Sequence, residues 1–285
     1  MDPAQKIKKL LQDFEFISSK DESIMVSRNG DPKLRKNLSA ALVSSSLGLS
    51  SVDYARKRYL SDDVVDCDLK DDLKELYFEC YKVSIEHILM TKENFVHNTA
   101  YEPTYGQFGA SLILERIETT ITSAHLCFQQ GNSFEGYALS RVVLEQIAWA
   151  YAAAKSDSES YIQELKSTKA ITILKEFIPQ VGKIYGYLSN LTHIGYDRHN
   201  QIISVPDNGG YYINFNHFDF HDFALVLLEL SDIFSAVWEK SFYLHQLSLN
   251  SVSVSDSSVE LMDDREFKEI IHSFSRKFDD LTKDQ

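Results

Sequence analysis

Arg141 and Glu145 stand four residues apart in the middle of 137–154, a stretch whose only other strongly polar side chains are Ser140 and Gln146. That spacing stacks the two charges on one helical face. Ala138, Ala148 and Ala152 share the face, and small residues there let a neighbouring helix approach closely. Charges taken out of water cost several kcal/mol unless they are paired and hydrogen-bonded. A polar group from a second helix is therefore expected to meet the pair.

The stretch 181–195 supplies it. Val181, Ile184, Leu188 and Leu191 recur at helical spacing as a core stripe, with Tyr185, Ser189 and His193 as a polar edge and Gly195 as a stop. Arg141, Glu145 and His193 are expected within direct or water-bridged reach of one another. A structural role for such a cluster is to fix helix register. A catalytic role would use Ser189, His193 and Glu145 as nucleophile, base and orienter. A Ser and a His on one helical turn seldom align for that purpose, however, and no oxyanion-forming loop is evident. The candidate catalytic residues are His193, Arg141, Glu145 and Ser189, with Arg198 and His199 just beyond the helix.

The motifs Arg-x-x-x-Glu (141–145) and Tyr-x-Tyr-Leu-Ser-x-x-x-His (185–193) carry a resemblance. The chain resembles a poorly characterised family of bacterial all-helical proteins, some from phage-defence or other mobile loci. More distantly it resembles the HEPN (higher eukaryote and prokaryote nucleotide-binding) helical bundles, over roughly 108–247. The resemblance implies an all-helical, homo-oligomeric bacterial protein. HEPN ribonucleases carry an Arg followed four to six residues later by His, brought together across a dimer. Here Arg116 precedes His125 by nine positions and Arg198 adjoins His199. Two functions follow as expectations. The first is a non-enzymatic helical interaction or ligand-binding module in a bacterial defence or toxin–antitoxin type system. The alternative is a divergent HEPN-like, metal-independent ribonuclease using Arg141 or Arg198 with His193 or His199.

Metal chemistry has thinner support. His217 and His221 are four apart and could converge on one ion, but Asp219 and Asp222 beside them suit a first helical turn capped by Asn216. Glu115 and Glu118 resemble half of a carboxylate-bridged centre. Such centres need Glu-x-x-His on two helices, and that spacing occurs only at Glu269 and His272. Cys67, Cys80 and Cys127 form no Cys-x-x-Cys, and phosphate-binding, nucleophile-elbow and His-Glu-x-x-His motifs are absent. No cofactor is expected.

The elements that must position these residues read as helices. A chain of 285 residues that is 44% hydrophobic can bury a sizeable core, and only 11 Gly and 5 Pro speak against many tight turns. The fold class is mainly α: a multi-helix bundle with one small β-hairpin inserted near 202–215. A net charge of −13 repels nucleic-acid phosphates, and the short basic runs at 6–9 and 56–58 read as solvated faces. Arg141 and Glu145 interrupt the apolar run of 137–154, whose length falls short of the roughly 20 residues a span requires, so no membrane span is expected. Without an apolar signal core at the N-terminus, the cytoplasm is the expected compartment. The expected partner is another protein or a second copy, with RNA only under the alternative function.

In chain order, 3–17 reads as an amphipathic helix, 18–36 as a loop and 37–63 as interrupted helical turns. A long helix follows from 69 to about 98, with His87 on its core stripe, then a connection over 98–110. Helices 108–130 and 133–154 form an antiparallel hairpin about Gly131, with Ser133 as N-cap and with Glu115, Glu118 and His125 able to point inward. A polar turn and a helix fill 155–180. After the β-hairpin come a long helix at 217–247, a Ser-rich linker at 251–258 and an amphipathic helix at 259–282. The parts are a helical 1–98, a core bundle at 107–248 and the final helix.

Overall fold

The computed structural model describes residues 14–18, 23–27, 31–60, 72–96, 102–193, 203–204, 212–213, 219–255 and 258–283. The chain divides into two compact units, Met1–Glu75 and Leu76–Gln285.

In the first unit, β1 (Phe14–Ser18) pairs antiparallel with β2 (Ser23–Ser27), Phe14 opposite Ser27 and Ser18 opposite Ser23. This corrects the expected helix over 14–17 and the expected loop over 23–27. Val26 is buried while its neighbour Met25 is exposed, the period-2 pattern of a strand. Helix α1 (Pro32–Ser46) begins with proline at its start, and the Asp31 side chain accepts from the Lys33 N–H. Gly48 takes a φ of +60° in the turn, where a Cβ would be strained. Helix α2 (Val52–Tyr59) follows, capped by Ser51.

The second unit is the helical bundle. Helix α3 (Asp72–Glu93) runs into it, followed by α4 (Tyr105–Gln129) and α5 (Ser133–Ala154). Helices α6 (Glu159–Glu164), α7 (Ser167–Phe177) and α8 (Val181–Thr192) come next. Strands β3 (Ile203–Ser204) and β4 (Tyr212–Ile213) pair antiparallel, as the sequence pattern around 202–215 predicts. The chain then forms α9 (Phe220–Ser241), a single 3-10 turn at Tyr243–His245, the pair β5 (Val252–Val254) and β6 (Val259–Leu261), and α10 (Glu266–Lys283). The mainly helical class holds, with three small strand pairs among the described residues rather than one.

The α4–α5 hairpin forms as expected, and it is close. A Cβ on Gly106 would stand 2.0 Å from the Ala153 carbonyl oxygen, so only glycine fits there. Thr104 and Gln107 make a reciprocal capping box at the start of α4. The N-cap of α5 is Asn132 rather than Ser133, which is its first residue. Helix α9 lies deepest: Phe223, Leu227, Leu228, Leu230, Ile233, Phe234 and Val237 are all fully buried. A helix apolar all round needs neighbours on every side, and α4, α5 and α10 all pack against α9. Its N-cap is Asp219, which accepts from the Asp222 N–H; Asn216 lies outside the described residues. The helix ends at Ser241, short of the expected 247. Val252 is 1% exposed, so part of the expected Ser-rich linker is a strand anchored in the core. No helix among the described residues is long and apolar enough to cross a membrane.

Candidate functional site

Arg141 and Glu145 do pair on α5, and α8 does meet them, but through a different residue. The Arg141 Nε donates to Glu145 Oε1 at 3.1 Å, and its Nη2 donates to the Tyr185 hydroxyl at 3.1 Å. That hydroxyl in turn donates to Glu145 Oε1 at 3.3 Å, which closes a three-membered ring of hydrogen bonds. The guanidinium also lies 5.2 Å from the centre of the Tyr185 ring, a cation–π distance. Burial alone would lower the Arg141 pKa, but the bonds to Tyr185 and Glu145 hold it above the ordinary value.

The pair is not dry. The Arg141 and Glu145 side chains keep 31% and 24% of their surface exposed, which corrects the expectation of a largely desolvated pair. His193 is also not its partner. Helix α8 stops at Thr192, and His193 is the exposed C-cap with extended backbone, φ −70° and ψ 127°. The i,i+4 relation of Ser189 to His193 on one helical face therefore breaks in the last turn. Only the backbone link survives, the His193 N–H donating to the Ser189 carbonyl at 3.0 Å. Ser189 Oγ is buried and has no hydrogen-bond partner among the described residues. Among the described residues Ser189, His193 and Glu145 do not line up as nucleophile, base and orienter.

Arg198, His199 and His217 lie outside the described residues. His221 stacks on Phe278 with ring centres 5.0 Å apart, and its Nε2 is buried. Asp222 accepts from the Tyr187 hydroxyl, and burial together with that carboxylate raises the Tyr187 pKa. Among the described residues no group of three or more His, Cys, Asp or Glu could hold a metal ion. Of the three residues expected to point inward, Glu118 and His125 do, but Glu115 does not: it is exposed and pairs with Lys92 at 2.7 Å. His125 shares a 2.7 Å hydrogen bond between Nδ1 and the Tyr77 hydroxyl, contacts Gln129 through Nε2 and lies flat against Tyr81 with ring centres 3.5 Å apart. It is a satisfied core histidine.

Sequence reasoning missed the strongest polar contact. Arg265, just ahead of α10, makes a bidentate pair with Asp232 in the middle of α9, at 2.6 to 3.2 Å. The two side chains are 3% and 2% exposed. The Arg265 guanidinium also donates to the Met262 carbonyl at 2.6 Å. Seven residues along α9 the buried Glu239 carboxylate accepts the N–H groups of Asn250, Ser251 and Val252 and so seats β5. Burial raises the Glu239 pKa, and those N–H groups oppose the rise. The sequence signals only the acids, Asp232 and Glu239 inside a largely apolar helix, and not the partners they meet.

Compared with known proteins, the chain matches no family model, no curated protein and no solved structure.

Proposed function

We propose that the chain is a non-enzymatic helical interaction or ligand-binding module whose ligand-facing feature is the Arg141–Glu145–Tyr185 triad. The observation that carries this reading is the triad's partly exposed state. The Nη1 of Arg141 has no partner among the described residues, while Nε and Nη2 are held in place by Glu145 and Tyr185. A pre-oriented guanidinium with spare donors suits a carboxylate or phosphate acceptor, and the Tyr185 ring offers a flat neighbour. The setting proposed with it, from the family resemblance, is a bacterial defence or toxin–antitoxin type system in which the protein acts as a homo-oligomer or with a protein partner.

The competing reading is a divergent metal-independent ribonuclease, and one experiment separates the two. Purified protein is incubated with cellular RNA, including transfer RNA, and screened in parallel by thermal shift against inorganic phosphate, citrate and mononucleotides. The binding reading expects intact RNA and an anion that raises the melting temperature of the wild type but not of Arg141→Ala. RNA cleavage lost in Arg141→Ala or His193→Ala at unchanged melting temperature would overturn it.

A further inference from the structure

The charge of this acidic chain is unevenly placed. Residues 1–60 hold eleven Lys and Arg against seven Asp and Glu, whereas the remainder holds eighteen against thirty-five. Within the Met1–Glu75 unit the excess gathers on α1 and α2, where 31–60 has six basic residues and two acidic ones.

Packing explains only part of this set. Arg56 is used internally: its Nη1 donates to Asn37 Oδ1 at 3.0 Å, fastening α2 to α1, and its Nη2 pairs with Asp53 at 2.7 Å. The apolar contact beneath is made by Ala40, Leu42 and Ala55, all buried. Lys33, Lys57 and Arg58 are exposed, and their side chains have no ion-pair or hydrogen-bond partner among the described residues. Lys57 and Arg58 follow Tyr54 by three and four positions and so share its face, while Lys33 lies one turn before Asn37 on α1. Tyr54 and Tyr59 keep 53% and 43% of their surface exposed and meet edge to face, with centres 6.4 Å apart. Neither ring contributes to the α1–α2 core.

Free cations beside exposed aromatic rings fit one partner better than others. Single-stranded nucleic acid offers regularly spaced phosphates and unstacked bases, and base–aromatic stacking is tolerant of sequence. An acidic polypeptide would use the cations and leave the rings without a role. We propose that the α1–α2 surface binds single-stranded nucleic acid, with Lys33, Lys57 and Arg58 on phosphates and Tyr54 and Tyr59 under bases. The segment 61–75, next in sequence, adds seven acids and two lysines, whose charge would oppose a polyanion. Screening over roughly 8 Å at physiological salt confines that repulsion. The surface is in a different unit from the Arg141 triad, and the proposal does not rest on the function assigned there.

The test uses the full chain and fluorescein-labelled oligomers of about 20 nucleotides, in RNA, DNA and duplex form, read by anisotropy from low to physiological salt. The single strands should bind more tightly than the duplex. Three phosphate contacts give a slope of log K against log salt of about −2. Lys57→Glu with Arg58→Glu should weaken binding at least about 10-fold and reduce the slope to about −0.7. Tyr54→Ala with Tyr59→Ala should weaken it by about 10-fold with the slope unchanged. All four positions are exposed, so both variants should melt with the wild type, and Arg141→Ala should bind as the wild type does. Binding of RNA alone or of DNA alone also supports the proposal and identifies the natural source. No binding at low salt, tighter binding of the duplex, equal competition by polyglutamate or full binding by both double variants would overturn it.

Discussion

Two of the arginine–carboxylate pairs among the described residues, both in the helical bundle, are built on opposite plans. Arg141 and Glu145 are four residues apart on one helix and about a quarter to a third exposed, at 31% and 24%. Arg265 and Asp232 are thirty-three residues apart, join α9 to the turn before α10, and are 3% and 2% exposed. The first pair borrows a neutral hydroxyl from Tyr185 and leaves donors over. The second spends its guanidinium on both carboxylate oxygens and on the Met262 carbonyl, inside the core. A half-solvated pair contributes little to stability and remains able to bind; a dry bidentate pair is a structural fastening that cannot be broken cheaply.

The largest expected effect lies at the dry pair. Asp232→Ala leaves the Arg265 charge buried and unpaired, and such losses cost about 3–5 kcal/mol. Replacing both partners with apolar residues, Asp232→Leu with Arg265→Met, should recover much of that loss, because the desolvation penalty goes with the charges. Chemical denaturation of the three proteins checks both statements. If Asp232→Ala unfolds at the wild-type denaturant midpoint, the pair is wet and the contrast collapses.

A smaller effect sharpens the same contrast through pH. His87 stacks on Phe267 at 3.7 Å, its Nε2 is buried without a partner among the described residues, and burial pulls its pKa down from 6.5 to about 4, with the Asp232 charge opposing. The folded state thus prefers the neutral ring. The stability tied to this preference is complete above about pH 6.5 and is lost as pH falls from there to about 4. It amounts to at most on the order of 3 kcal/mol. Unfolding free energies across that window should fall in the wild type and fall less in His87→Phe, which keeps the stacked ring. Parallel pH profiles for the two proteins would show that water reaches the α3–α10 contact.

The smallest effect is expected at the triad. Glu145→Ala should cost no more than about 1 kcal/mol, since partly solvated ion pairs contribute about that much, and high salt should shrink the cost further. The several kcal/mol expected from a buried pair would return only if α8 closed over Glu145 more tightly than the Tyr185 contact allows.

This contrast also marks how far the sequence could be read. Arg141 and Glu145 were legible because i,i+4 spacing is a local property, and no other charge falls between Tyr137 and Ala154. The α4–α5 hairpin and the β3–β4 pair were legible for the same local reason: a short glycine turn and a Pro-Asp-Asn-Gly-Gly turn. Tyr185 was placed on the correct edge of α8, yet His193 was preferred because periodicity does not say where a helix ends. One extra turn of α8 would have kept His193 on that face. The Asp232–Arg265 pair was illegible for a different reason. Its partners are joined by tertiary packing across thirty-three residues, and no spacing rule connects an acid in α9 to an arginine before α10. Strand β1 was read as helix because the apolar residues of 14–17 satisfied a helical stripe as well as a strand, and only the pairing with β2 separates them.

The most direct measurement is a pair of double-mutant cycles, Arg141→Ala with Glu145→Ala and Arg265→Ala with Asp232→Ala, each read by denaturant unfolding at low and high salt. The account predicts a coupling below about 1 kcal/mol for the first pair, declining with salt, and several-fold larger and salt-insensitive coupling for the second. Equal couplings, or a larger and salt-independent one at Arg141 and Glu145, would contradict it and make the triad part of the core fastening instead of a surface free to bind.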